Sequence, residues 1–274
     1  LNFEKVVSFY HKALKHGYSP FFSPALEKVQ TVQGEPKFLL DRRGNLYSIR
    51  EDFTKSVLNH RKRYSPDLPI KVWYADFVYR YSDGDLVAEY QIGLEKIPRQ
   101  DIVDTLQIME IILESTSESF TGPLIVEIGH TNVYEDLLKK IPKSLQERVL
   151  NIIDTKNLAE IDFLSKMERI DLSQAERIIE ASIYRRALKD LQKMEIPFSV
   201  KTELLTVATH IEKNFQQFTV EIDLALARTI EEYSGIIFTV YDIPSSKIVA
   251  AGGEYLVNGE KGVGACIYLE GRPC

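Results

Sequence analysis

From Glu89 to Glu95 polar and apolar residues alternate, so Glu89, Gln91, Gly93 and Glu95 share one face of an extended strand. The run from Ile70 to Tyr81 divides in the same way. Trp73, Ala75, Phe77 and Tyr79 lie on one face, and Tyr74, Asp76, Val78 and Arg80 on the other. A turn signal, Asp83-Gly84-Asp85, joins the two runs into a long antiparallel hairpin, which brings Arg80 near the start of the polar row. An Arg, a Gln and two Glu on one sheet face, within strands otherwise rich in aromatics, can floor a pocket for a small zwitterion with a polar side chain. The carboxylates would hold an ammonium or imidazole, and the guanidinium a carboxylate. A solvated sheet face has the same pattern, and alternation alone leaves both readings open.

Other chemistries find less support. His11, His16, His60, His130 and His210 are scattered, without an HxxxH or HExxH pair, so no metal site is expected. Cys266 lies in an apolar strand and reads as a small buried hydrophobe. Cys274 has nothing beside it to lower its thiol pKa. Neither a GxSxG elbow nor a GxxxxGK[ST] phosphate loop occurs. Gly252-Gly253 and the glycines at 262 and 264 sit between strands rather than at a strand-to-helix turn, so a dinucleotide fingerprint is also absent. No catalytic residue and no cofactor is expected.

The elements that must position the polar face can be read from periodicity. Phe3, Val6, Val7, Tyr10 and Leu14 repeat at helical spacing ahead of Gly17, which predicts a helix over 3–16. A short hairpin is expected between Phe38 and Ile49, turning at Arg43-Gly44-Asn45, then a helix from Glu51 to Tyr64. Asp101 to Ser119 reads as a helix packed on a sheet, and Leu124 to Ile128 as a short buried strand. From about 133 to 218 Leu, Ile, Lys and Glu dominate, with breaks at Pro142 and Pro197, which reads as a helical insertion. Its Lys139, Lys140 and Lys143 read as a solvated charge cluster. Strands are expected to return over Val220–Leu226, Gly235–Tyr241, Lys247–Ala251 and Gly262–Leu269. The predicted architecture is α+β: a mainly antiparallel sheet flanked by helices, with a helical insertion.

Composition limits the partners. The chain has 274 residues, 44% hydrophobic and 27% charged, enough for a substantial core. A formal net charge of -6 disfavours nucleic acid and anionic membranes as the main partners, because like charges repel at long range. No apolar run approaches the ~20 residues of a membrane helix. The amphipathic, mixed-charge start does not resemble a signal peptide, and two cysteines exclude a disulfide framework, so a cytoplasmic location is expected.

Several stretches, taken in order, resemble the catalytic core of class II aminoacyl-tRNA synthetases, specifically histidyl-tRNA synthetase. Pro24-Ala25-Leu26-Glu27 and Ser48-Ile49-Arg50-Glu51-Asp52-Phe53-Thr54 are similar to the family's LRPExT region. Phe77-Val78-Tyr79-Arg80 and Gln91-Ile92-Gly93-Leu94-Glu95 are similar to FR…QxGxE. Leu226 to Phe238 resembles RGLDYYTGxxF, and Ala251-Gly252-Gly253-Glu254-Tyr255 resembles AGGRYD. The resemblance implies a histidine pocket. Asp52, in place of the family's Glu, would hold the α-ammonium with Thr54 and Gln91. Glu95 and Tyr233 would bond the imidazole, Arg228 would face the carboxylate, Tyr255 would line the pocket, and Arg80 would lie at its phosphate side.

The departures from that family carry equal information. The Arg80–Gln91 loop is short and acidic, with Asp83 and Asp85, where the family has a longer basic loop. Gly271 stands in place of the ATP-binding Arg, with Arg272 one position away, and Glu232 replaces one Tyr. The chain stops at Cys274, where a synthetase would continue into an anticodon-binding domain. Residues 1–274 are therefore expected to form a single synthetase-like core without that domain. A histidine pocket kept and nucleotide devices lost resembles the regulatory subunits of ATP phosphoribosyltransferase in histidine biosynthesis. That resemblance implies a non-catalytic chain that is homodimeric within a hetero-oligomer. It would activate a short-form catalytic subunit and confer inhibition by L-histidine. The alternative is a truncated ligase that forms an aminoacyl-adenylate, with Arg50, Arg80 and Glu95 in support.

Overall fold

The protein is described here by a computed structural model covering residues 3–28, 38–64, 67–82, 85–183, 196–226, 233–257 and 259–273. In chain order its helices are α1 (Phe3–Lys15), α2 (Phe53–Tyr64), α3 (Ile102–Ser119), α4 (Glu135–Lys140), α5 (Lys143–Asp154), α6 (Leu158–Glu168), α7 (Ser173–Ile183) and α8 (Phe198–Asn214). The strands are β1 (Ser19–Pro20), β2 (Leu26–Lys28), β3 (Phe38–Leu40), β4 (Leu46–Ile49), β5 (Ile70–Ser82), β6 (Asp85–Ile97), β7 (Leu124–His130), β8 (Phe218–Ile222), β9 (Tyr233–Asp242), β10 (Lys247–Val257) and β11 (Glu260–Pro273).

Eight strands form one sheet in the order β1-β5-β6-β11-β10-β9-β7-β8, and β2-β4-β3 form a small second sheet. The central pairs are antiparallel, as expected. Both edges are parallel, β1 with β5 and β7 with β8. The parallel β7–β8 pair explains the helical segment after residue 133. Parallel neighbours need a long crossover connection, and α4 to α8 supply it. Pro142 and Pro197 stand at the N-caps of α5 and α8, where a missing backbone donor costs nothing. The lysine cluster beside them is solvated: Lys139 is exposed and pairs with Glu135 and Asp136.

The predicted hairpins form. Strands β5 and β6 pair continuously from Ile70↔Ile97 to Ser82↔Asp85. Residues 83 and 84 of their turn, including Asp83, lie outside the described residues. Between β3 and β4 the chain turns through Gly44 at φ +76, a left-handed conformation that glycine adopts without steric cost. Asp41 accepts backbone hydrogen bonds from Arg43 and Asn45 there, both at 2.8 Å. One strand is shorter than expected. Val220–Leu226 is extended only through Ile222. Asp223 then folds the chain back, accepting from the backbone N–H of Ala225 at 2.9 Å. Strand β10 runs longer than its apolar stretch because β9 and β11 both pair with it through Gly252 and Gly253, and β10 alone carries β11 on to Pro273.

The main sheet is buried on both faces, by different means. On one, Ile92 and Leu94 pack with Phe9 and Ala13 of α1 and with Ile108, Met109 and Ile112 of α3, all at most 1% exposed. At roughly 1.5–3 kcal/mol per fully buried large aliphatic side chain, this face pins the strand register. Helix α2 covers the other, where Phe53, Val57 and Leu58 pack on Tyr74, Val78 and Tyr255. That second cluster is smaller, and the polar residues of β6 lie beside it.

Candidate functional site

Glu95 is the centre of the polar face. It is 1% exposed, and both carboxylate oxygens are engaged: Thr54 Oγ1 donates to Oε1 at 2.6 Å, and the Tyr255 hydroxyl to Oε2 at 2.7 Å. Burial pushes the Glu95 carboxyl up to about 7, against those two hydrogen bonds, and the negative charge of Asp52 pushes the same way. The floor beneath it is glycine. Gly264 pairs with Glu95 across β11–β6, and a Cβ on Gly264 would come within 2.1 Å of Glu95 Oε2. On Gly93 a Cβ would meet the Tyr74 hydroxyl at 2.4 Å.

Helix α2 delivers Thr54 because its first turn is capped beside the sheet. Asp52 Oδ1 accepts from the backbone N–H of Lys55 at 2.7 Å, as an N-cap residue does. Asp52 therefore has a structural duty as well as its expected place near an ammonium. It also borders a cleft of about 360 Å³, lined with Pro24, Ser48, Lys55 and Asn59. The Tyr74 ring stacks on Phe53 at 3.9 Å and 10°, which fixes the approach of α2 to β5. Arg50 braces the same corner. Its guanidinium donates to the carbonyls of Ser23 (2.8 Å) and Phe77 (2.9 Å) and to Asp76 Oδ2 (2.7 Å), and lies 4.3 Å over the Phe53 ring. These contacts occupy the side chain, so Arg50 holds the fold together here.

Further along the strand, Gln91 Nε2 donates to Glu89 Oε1 at 2.5 Å. Arg272 holds Glu89 with two hydrogen bonds, Nε to Oε2 at 2.9 Å and Nη2 to Oε1 at 3.1 Å, and its guanidinium lies 4.5 Å over the Tyr268 ring. Arg80 reaches the same carboxylate more loosely, with Nε 3.9 Å from Glu89 Oε1. Tyr233 stands opposite Tyr255 in the β9–β10 register and lines a cavity of about 110 Å³ with Tyr268, Arg272 and Gly252. Arg228 and Glu232 lie outside the described residues. Cys266 is half-buried in β11 against the α2 cluster, and desolvation pushes its thiol up to about 12, away from an activated thiolate.

Tyr255 is thus a direct donor to Glu95 rather than only pocket wall, and Thr54 reaches Glu95. Three further contributors escape a sequence reading. Tyr268 supports Arg272 through its ring. Gly264 makes room for a carboxylate, which is legible only once it is known to face Glu95. Glu254 lies behind the site, 4% exposed, accepting from Arg99 at 2.7 Å and Thr105 at 2.6 Å. Burial pushes its carboxyl up. Tyr255, its neighbour in sequence, points to the opposite face of the strand, so β10 is held by a carboxylate on one side and a phenol on the other. Among the described residues no cluster of three or more His, Cys, Asp or Glu side chains could hold a metal ion. No helix among them is long and apolar enough to cross a membrane.

A mixed sheet carrying a buried, glycine-floored carboxylate beneath a capped helix defines a class II aminoacyl-tRNA synthetase-like core. The histidyl-tRNA synthetase family model matches residues 4–271. Histidyl-tRNA synthetase from Nostoc sp. PCC 7120 superposes with a TM-score of 0.78 at 20% identity, over 98% of this chain and 69% of that one. A histidine–tRNA ligase of Saccharolobus islandicus is 24% identical over 89% of this chain, which spans 62% of the ligase. The ATP phosphoribosyltransferase regulatory subunit of Thermotoga maritima is 67% identical over 274 residues, 100% of this chain and 99% of that protein. The solved ATP phosphoribosyl transferase (HisG:HisZ) complex from Thermotoga maritima contains a chain that matches with a TM-score of 0.92, covering 100% of this chain and 99% of its own. The chain belongs to the family of ATP phosphoribosyltransferase regulatory subunits.

Proposed function

We propose that this chain assembles with a short-form ATP phosphoribosyltransferase catalytic subunit, activates it, and makes it sensitive to inhibition by L-histidine. The chain itself is non-catalytic, acts in the cytoplasm, forms a homodimer within the hetero-oligomer, and takes L-histidine as effector rather than any cofactor. The observation that carries this reading is the 67% identity, over nearly the whole of both chains, to a regulatory subunit of that name. The site supports the effector. Glu95 already accepts two hydroxyl donors, and a carboxylate has about four lone-pair positions, so it can take an imidazole N–H as well. The resemblance assigns the ammonium to Asp52, whose charge acts on Glu95, and to Gln91, four residues along the same strand face, whose amide would have to leave Glu89. Tyr233 lies nearby, and Arg228 is assigned to the carboxylate from sequence alone.

The regulation follows from linkage. Histidine inhibits only if it binds one state of the assembly better than another, and a difference of about 1–3 kcal/mol is typical. The test is reconstitution with a catalytic subunit, a histidine titration of phosphoribosyl transfer, and the same titration with Glu95→Ala. Activity that depends on this chain, falls with histidine, and loses that response in the variant is the expected result. Activity indifferent to the chain would sink the assembly reading, and activity indifferent to histidine would sink the sensor.

A further inference from the structure

The segment that leaves β8, Asp223 to Leu226, is gripped from the helical crossover by Tyr134, Lys156 and Ser182. Just ahead of α4, the buried Tyr134 donates its hydroxyl to the carbonyl of Leu224. In α7, Ser182 Oγ accepts from the Ala225 N–H at 2.9 Å. Past the end of α5, Lys156 Nζ lies 2.7 Å from Asp223 Oδ2, a half-buried ammonium on a buried carboxylate. The same segment is pressed on β7. The Asp223 N–H donates to the carbonyl of Ile128 at 3.0 Å, and a Cβ on Gly129 would stand 2.9 Å from Leu226 Cβ. Leu226, so held, forms part of the wall of the cavity that Tyr233 and Tyr268 also line.

The backbone at Lys156 holds this side chain at a steric cost. The Lys156 N–H donates to the carbonyl of Ile153 at 2.9 Å and the Asn157 N–H to that of Ile152 at 3.1 Å. Together they close α5 in the left-handed stop where glycine is the usual residue. Lys156 takes φ +53 there, a conformation that penalises a Cβ. A glycine would end the helix with less strain, but would leave Asp223 buried without this cation. We propose that Lys156 is a positioning residue of the effector pocket: through Asp223 it fixes the cavity wall at Leu226, so that the helical crossover sets how tightly the pocket holds its ligand. This role presupposes that the pocket takes L-histidine. It acts from outside that pocket, because none of Tyr134, Lys156, Ser182 and Asp223 lines the cavity.

The test is calorimetric titration of the full chain with L-histidine, with unfolding midpoints alongside. The proteins are the wild type, Lys156→Gly, Lys156→Arg, Asp223→Asn, and the double variant of Lys156→Gly with Asp223→Asn. Lys156→Gly relieves the backbone while removing the cation. Its midpoint should stay near that of the wild type while histidine affinity falls at least about tenfold. Lys156→Arg keeps the charge and should hold affinity within about threefold. Asp223→Asn keeps an oxygen for the Ala225 N–H and should lose affinity as Lys156→Gly does. The double variant should lose no more than either single one, because both remove the same contact. Asp223→Asn against Lys156→Arg decides the matter if Lys156→Gly does not fold. Wild-type affinity in Lys156→Gly or Asp223→Asn, or losses that add in the double variant, would overturn the role of the pair and leave the histidine reading standing. A wild-type chain that binds no histidine would instead overturn that reading, and this role with it.

Discussion

The carboxylate of Glu95 rests on the backbone of Gly264. The two residues are partners across β6 and β11, and a single added methyl on Gly264 would stand 2.1 Å from Oε2. The buried acid exists because the strand opposite it has no side chain at that point.

Gly264→Ala should therefore displace Glu95 from Thr54 and Tyr255. Overpacking of this kind costs about 1–3 kcal/mol. A lowered unfolding midpoint together with loss of the histidine-dependent rise is the expected outcome. At saturating ligand, 100 times its dissociation constant, that rise is roughly 5–11 °C in the unaltered chain. A variant that matches the parent in both would show that the close approach carries no weight.

Glu95 makes stability depend on pH in a defined direction. Its folded pKa, about 7, lies above the ordinary 4.5, so between those values the native state holds a proton that the unfolded chain has lost. Its contribution is complete below pH 4.5 and is lost as pH rises through about 7, on the order of 3 kcal/mol in all. Glu95→Gln removes that titration. Denaturant unfolding at pH 5 and pH 8 should show a smaller fall for the variant than for the parent, and equal falls would contradict the assignment.

Asp52 has two duties that two substitutions separate. Asp52→Asn keeps a side-chain oxygen for the Lys55 N–H and should preserve stability, whereas Asp52→Ala should lose about 1 kcal/mol with the cap. Both should weaken histidine binding if the charge faces an ammonium. Calorimetric titration of the two variants with histidine checks this, and unchanged affinity in Asp52→Asn would reduce Asp52 to a cap.

Much of this arrangement is legible before any coordinates. Alternation in β6 puts Glu89, Gln91 and Glu95 on one face, Asp83-Gly84-Asp85 marks the hairpin, and the spacing of Phe3 to Leu14 gives α1. Those signals are local and repeat every two or between three and four residues. Less legible is where an element stops when its neighbours decide. Strand β10 runs on to Val257 because β9 pairs with it as far as Tyr255 and β11 to its end, and β8 ends at Ile222 because Asp223 turns the chain. The helices between β7 and β8 are plain from composition, but only the parallel pairing of those strands shows that they form a crossover.

By itself the sequence determined which residues are acidic, basic or aromatic and which of them share a strand face. The tertiary structure alone decided their partners. Thr54 and Tyr255 stand 41 and 160 positions from the Glu95 they hold, and Arg272 stands 183 from Glu89. Those meetings depend on the register of β6 against β11 and on the seating of α2. Burial of Ile92, Leu94 and the α3 face sets that register, and no pattern within β6 encodes it.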